Sequence, residues 1–143
     1  MNTKRFSIQF LNIISIAVLL LTVQNSIKAQ TKPWTVPESA TKVKNPVARN
    51  AASIRKGSAL FISNCAPCHG KTGKGDGPAS ASVDPRPADL TTGWKPEDTD
   101  GALYYMISTG HTPMPKFKVA LNKRQRWELV NYIRTLPQKN KNN

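Results

Sequence analysis

Apolar positions recur with a helical period in three places along the chain, and with the two-residue period of a strand in none. The first is residues 51–64, where Ile54, Ala59, Leu60 and Phe61 supply an apolar face. Gly57 sits inside this segment and weakens it as a helix unless another backbone must approach closely. The second is residues 97–109, with Leu103, Met106 and Ile107 on the inner stripe and Tyr104 or Tyr105 beside it. Asp98, Thr99 and Asp100 offer a cap and favourable charge at its start, and Gly110 is placed to end it. The third is residues 121–136, where Trp127, Val130, Ile133 and Leu136 form one stripe with Leu129 alongside. Asn122 followed three residues later by Gln125 is a capping-box variant, and Pro137 stops the helix. The pattern predicts an all-α domain.

Other stretches lack any period. Residues 70–95 hold Gly70, Gly73, Gly75, Gly77, Pro78, Pro85, Pro87 and Gly93. An irregular loop that long in a small domain is functional or disordered, and a group lying against it would order it. Residues 1–29 run from basic (Lys4, Arg5) through apolar (Ile13 to Leu21) to polar with a small residue, Ala29. That layout is a signal peptide; the alternative is an uncleaved anchor through residues 6–23 that keeps the protein membrane-associated. Both readings place the bulk of the chain outside the cytoplasm, in a periplasmic or other extracytoplasmic compartment. Residues 30–50 read as an extended Pro- and Lys-rich arm, either a tether or a segment packed on the domain through Trp34 and Val36. The domain itself is expected over 51–137, with a polar tail at 138–143.

Composition narrows the choice. The chain has 143 residues, enough for one small domain. Hydrophobic residues make up 38% and aromatics 7%, which gives a thin core that needs a staple or a cofactor. Two cysteines exclude a multi-disulfide framework and a four-cysteine zinc site. Twenty-one Lys and Arg against eight Asp and Glu give a net charge of +13. No paired carboxylates, Ser-His-Asp set or phosphate loop is apparent, and Lys74-Gly75-Asp76-Gly77 lacks the Walker spacing. The chain is therefore not expected to be an enzyme by itself.

The candidate chemistry is Cys65-Ala66-Pro67-Cys68-His69. Cys-x-x-Cys-His is an attachment signature for c-type haem. Two thiols a short turn apart can each add to one haem vinyl group, and the histidine that follows becomes the proximal iron ligand. A thioredoxin-like dithiol would follow a strand, whereas a helix precedes this one. A zinc site lacks ligands at a suitable spacing, and a disulfide here closes almost no loop. The distal ligand is expected to be Met114, held between Pro113 and Pro115; His111 is the rival. Pro78 is a candidate carbonyl for the second nitrogen of His69. Arg86 and Trp94 are candidates for the haem propionates.

With these residues in hand, the chain resembles a class I monohaem c-type cytochrome of the bacterial, exported kind, over about residues 53–136. Gly57, Leu60 and Phe61 before the motif, the run Gly70 to Pro78, Pro85 to Thr91, Met114-Pro115 with Phe117, and Trp127 to Leu136 all match that pattern. The resemblance implies the cytochrome c fold, three or four helices around one covalently attached haem c, with the first and last helices crossing at Gly57. It implies one-electron transfer in an extracytoplasmic respiratory or other redox chain. Alternatives are a haem relay subunit of a larger complex, or a haem-based sensor or catalyst with a labile sixth ligand. Lys71, Lys74, Lys116, Lys118, Lys123 and Arg124 would ring one haem edge and meet an acidic surface on a redox protein partner. Nucleic acid is not an expected partner, because no basic helix carries interleaved aromatics.

Overall fold

The computed structural model describes residues 34–93 and 97–137. Residues 1–29, Trp94 and the 138–143 tail, each with a role assigned above, lie outside the described residues. Five α-helices are present among the described residues: α1 (Glu38–Thr41), α2 (Ala51–Asn64), α3 (Ala66–His69), α4 (Asp100–Thr109) and α5 (Lys123–Ile133). Short 3-10 turns at Ser80–Ser82 and Phe117–Val119 join them. The described residues contain no strand, only an isolated bridge between His111 and Met114.

The helix ends follow local chemistry. Asn50 caps α2 in a reciprocal box with Ser53, and Asn122 caps α5 in the expected box with Gln125. Thr99 caps α4 through Ala102 N–H, so α4 begins at Asp100 and not at residue 97. α5 ends at Ile133, and residues 134–136 continue as a turn that still buries Leu136.

Helices α2 and α5 cross, and Gly57 is the reason they can. A Cβ at Gly57 would strike the Glu128 carbonyl and come within 2.8 Å of Tyr132 Cβ. The buried face of α2 is Ser53, Gly57 and Phe61, spaced one turn apart. Ala59, assigned above to that face, is exposed because the crossing centres on Gly57. Phe61, Leu129 and Val130 are fully buried, and Leu103, Ile107, Leu121, Trp127, Ile133 and Leu136 complete the core. Tyr104 of α4 stacks on Trp127 of α5 with ring centroids 3.9 Å apart.

The segment ahead of α2 is packed, not a tether. Thr99 Oγ1 donates to the Thr41 carbonyl at 2.7 Å, and Arg49 meets Asp100 at 3.6 Å. Asn131, 1% exposed, donates to the Val47 and Ala48 carbonyls and to Ser53 Oγ, and accepts from Asn45. Buried polar groups of this kind are costly unless satisfied, so this network fixes the arm in one place.

Candidate functional site

The Cys-Ala-Pro-Cys-His segment forms the single turn α3 directly after α2. Cys65 is at once the C-cap of α2 and the N-cap of α3. Its carbonyl accepts from Cys68 N–H at 3.1 Å and from His69 N–H at 2.8 Å. Both cysteines are free thiols, and Cys65 is buried in the apolar cluster. Burial, helped by Cys68 beside it, pushes the Cys65 thiol up to about 12.

The irregular loop wraps back over this turn. Gly75 N–H donates to the His69 carbonyl, Gly77 N–H to Cys68 and Ala79 N–H to Pro67, at 2.8, 3.1 and 2.9 Å. Gly77 must be glycine, since a Cβ there would sit 2.6 Å from the Pro67 carbonyl carbon. A second pass of the loop closes on the first through Leu90 N–H to Gly73 O at 2.7 Å. This pass carries the residue that fixes the histidine: His69 Nδ1 lies 3.0 Å from the Ala88 carbonyl. The acceptor assigned from sequence was Pro78; the structure corrects it to Ala88. Pro78 belongs to the first pass, which hydrogen-bonds the backbone of α3, whereas the second pass reaches the ring. A carbonyl has no sequence signature, so only the Pro85-Arg86-Pro87 frame ahead of it could have pointed there.

The hydrogen bond fixes the tautomer. A ring with Nδ1–H given to a carbonyl has Nε2 as its one open nitrogen. Burial lowers the His69 pKa below its ordinary 6.5, against the opposing effect of the Ala88 bond, and so favours the neutral, ligating imidazole.

Met114 stands on the turn after α4. Gly110 ends that helix at φ 61°, and a Cβ on it would lie 2.7 Å from the Met114 carbonyl oxygen. Met114 packs against the apolar cluster that takes in Cys65. His111 is paired with Met114 through the backbone, and its ring stacks on Trp34 with centroids 5.4 Å apart. Sequence reasoning named both partners of that stack and missed the contact between them. Arg86 is exposed on the pass that holds His69. Two clefts of about 220 and 390 Å³ lie along α2 and α5, share Lys56, Arg124 and Glu128, and contain no residue of the Cys-His turn. Among the described residues no cluster of three or more His, Cys, Asp or Glu could hold a metal ion, so the zinc alternative gains no support.

Two free thiols on one turn, with a neutral imidazole oriented to leave Nε2 open, fit a covalently attached haem. The all-α shell and this donor set define a c-type cytochrome. The chain belongs to the family described as Cytochrome C oxidase, cbb3-type, subunit III, whose model matches residues 52–133. It is also similar to a solved chain of the Kuenenia stuttgartiensis reducing HAO-like protein complex, at 28% identity and a TM-score of 0.61. That match covers 77% of this chain and 53% of the other, so this chain spans about half the length of its solved relative. No curated protein matches the sequence. Membership of this family carries covalently bound haem c and haem-based electron transfer with it.

Proposed function

We propose that the chain is an exported one-electron carrier whose haem c is bound through thioethers at Cys65 and Cys68, with His69 as proximal and Met114 as distal ligand. The observation that carries this reading is the His69 Nδ1 contact to Ala88 O, one turn from two free thiols. When bound, the haem supplies an iron that takes up and releases single electrons. The residues do the rest. Cys65 and Cys68 fix the macrocycle against α3, Ala88 holds the imidazole in its ligating tautomer, and Met114 tunes the potential upward. Arg86 is a candidate partner for the propionates, as is Trp94. The basic, apolar and polar succession of residues 1–29 supports export to the periplasm.

The partner is a redox protein with an acidic docking surface. Lys71, Lys74, Lys116, Lys118 and Lys123 are exposed and make no ion pair among the described residues, whereas Arg124 is engaged by Glu128. A second reading, a relay subunit within a larger oxidoreductase assembly, is favoured by the likeness to a chain of a protein complex. Co-purification from the native host separates the two.

The ligand set is tested on the ferric protein. A weak near-infrared charge-transfer band, the mark of His-Met haem, is expected in the wild type and absent from Met114→Ala, with a lower potential in the variant. Loss of the low-spin spectrum in His111→Ala, with Met114→Ala unaffected, would reverse the assignment.

A further inference from the structure

His111 and Met114 stand in competition by construction. They exchange both backbone hydrogen bonds, His111 N–H to Met114 O at 3.0 Å and Met114 N–H to His111 O at 2.7 Å. Residues paired in this way across an antiparallel bridge project their side chains from the same face. An imidazole and a thioether, both competent haem-iron ligands, therefore lie side by side on one short turn. Backbone geometry alone does not choose between them.

A residue from the far end of the described chain does. The Trp34 indole lies over the His111 ring at 5.4 Å between centroids and 30° between planes. This is an offset stack of the favourable kind, and it occupies a face of the imidazole. The arm that delivers Trp34 is itself fastened down, through Thr41 to Thr99, Asn45 and Val47 to Asn131, and Arg49 to Asp100. Gly101 lets it lie close on α4, since a Cβ there would be 2.6 Å from the Val43 carbonyl. The arm also lies outside the segment matched by the family model, residues 52–133.

We propose that Trp34 is a positioning residue that selects the distal ligand: by stacking on His111 it withholds that imidazole and seats the turn with Met114 toward the iron. This rests on the His69 and Met114 reading above. Three consequences follow from removing the indole. His111 is released to compete, the turn loses its outer support, and an external nitrogen ligand displaces Met114 more readily.

The test uses the full-length ferric holoprotein, followed through the His-Met near-infrared band during titration with imidazole. Trp34→Ala should lose part of the band to a bis-nitrogen low-spin spectrum before any imidazole is added, and bind imidazole at least roughly tenfold more tightly than wild type. Adding His111→Ala to that variant should bring the band back. Trp34→Phe, which keeps an aromatic face, should behave as wild type, whereas a merely structural loss would not track the ring. Trp34→Leu keeps apolar bulk without the ring and gives the same reading if the alanine variant does not hold haem. A wild-type band that both Trp34→Ala and Trp34→Leu leave intact, with wild-type imidazole affinity, overturns this inference alone. A wild-type protein that lacks the band overturns the ligand assignment and this inference with it.

Discussion

His69 illustrates how one hydrogen bond sets the chemistry of a residue. Its Nδ1 is engaged by Ala88, and burial disfavours its cation. The sign of the resulting pH dependence follows. The folded pKa lies below the ordinary 6.5, so the folded state holds fewer protons than the unfolded one as pH falls through that region. The contribution of neutral His69 is fully present above 6.5 and is lost as pH falls toward the lower folded value. Before haem is attached, the folded chain should therefore lose stability as pH falls below 6.5, and a denaturant midpoint that is the same on both sides of that value would contradict the account. The two thiols and the histidine were legible in the sequence because covalent attachment demands a fixed spacing. The Ala88 acceptor and the Trp34 stack were not, because one is a backbone atom and the other joins residues far apart in sequence.

At the scale of the helices, close approach decides the architecture. The period of apolar positions located α2, α4 and α5, but the caps Thr99 and Asn122 start α4 and α5 at Asp100 and Lys123, inside the expected starts at 97 and 121. α1 escaped notice because four residues carry no period, and α3 because its single turn is defined by the attachment motif and by hydrogen bonds to Cys65. Gly57→Ala inserts a methyl group against the Glu128 carbonyl and should cost about 3 kcal/mol in denaturant unfolding, at the upper end of overpacking effects. An unchanged midpoint would mean that the helices separate without penalty. Asn131→Ala strips the arm of its buried partner and leaves the Val47 and Ala48 carbonyls short of a donor. A loss of about 2 kcal/mol is expected, with faster proteolysis ahead of residue 50. Loss of stability with no change in the cleavage pattern would assign Asn131 to the core alone.

Across the whole molecule the charges are sorted. Asp100 is paired with Arg49 and Arg134, Glu128 with Arg124 and Glu38 with Lys42. The lysines after the attachment turn and after the Met114 turn are left exposed. A surface of that kind steers an acidic partner at long range, within a Debye length of about 10 Å at about 0.1 M salt. Charge reversal at Lys71 and Lys116 should slow electron transfer to the native acceptor strongly at low salt and little at high salt. An equal effect from reversing Lys139 and Lys141 would reduce the charge to a general role in solubility. All of this presupposes that the iron is carried by a haem that the chain holds covalently. The most direct measurement is haem-stained denaturing electrophoresis of the purified protein, paired with extraction into acidified organic solvent. The account predicts one haem per chain that stays with the denatured band in wild type and is lost when Cys65 and Cys68 are both replaced by alanine. Haem that leaves the wild-type chain on extraction would contradict it.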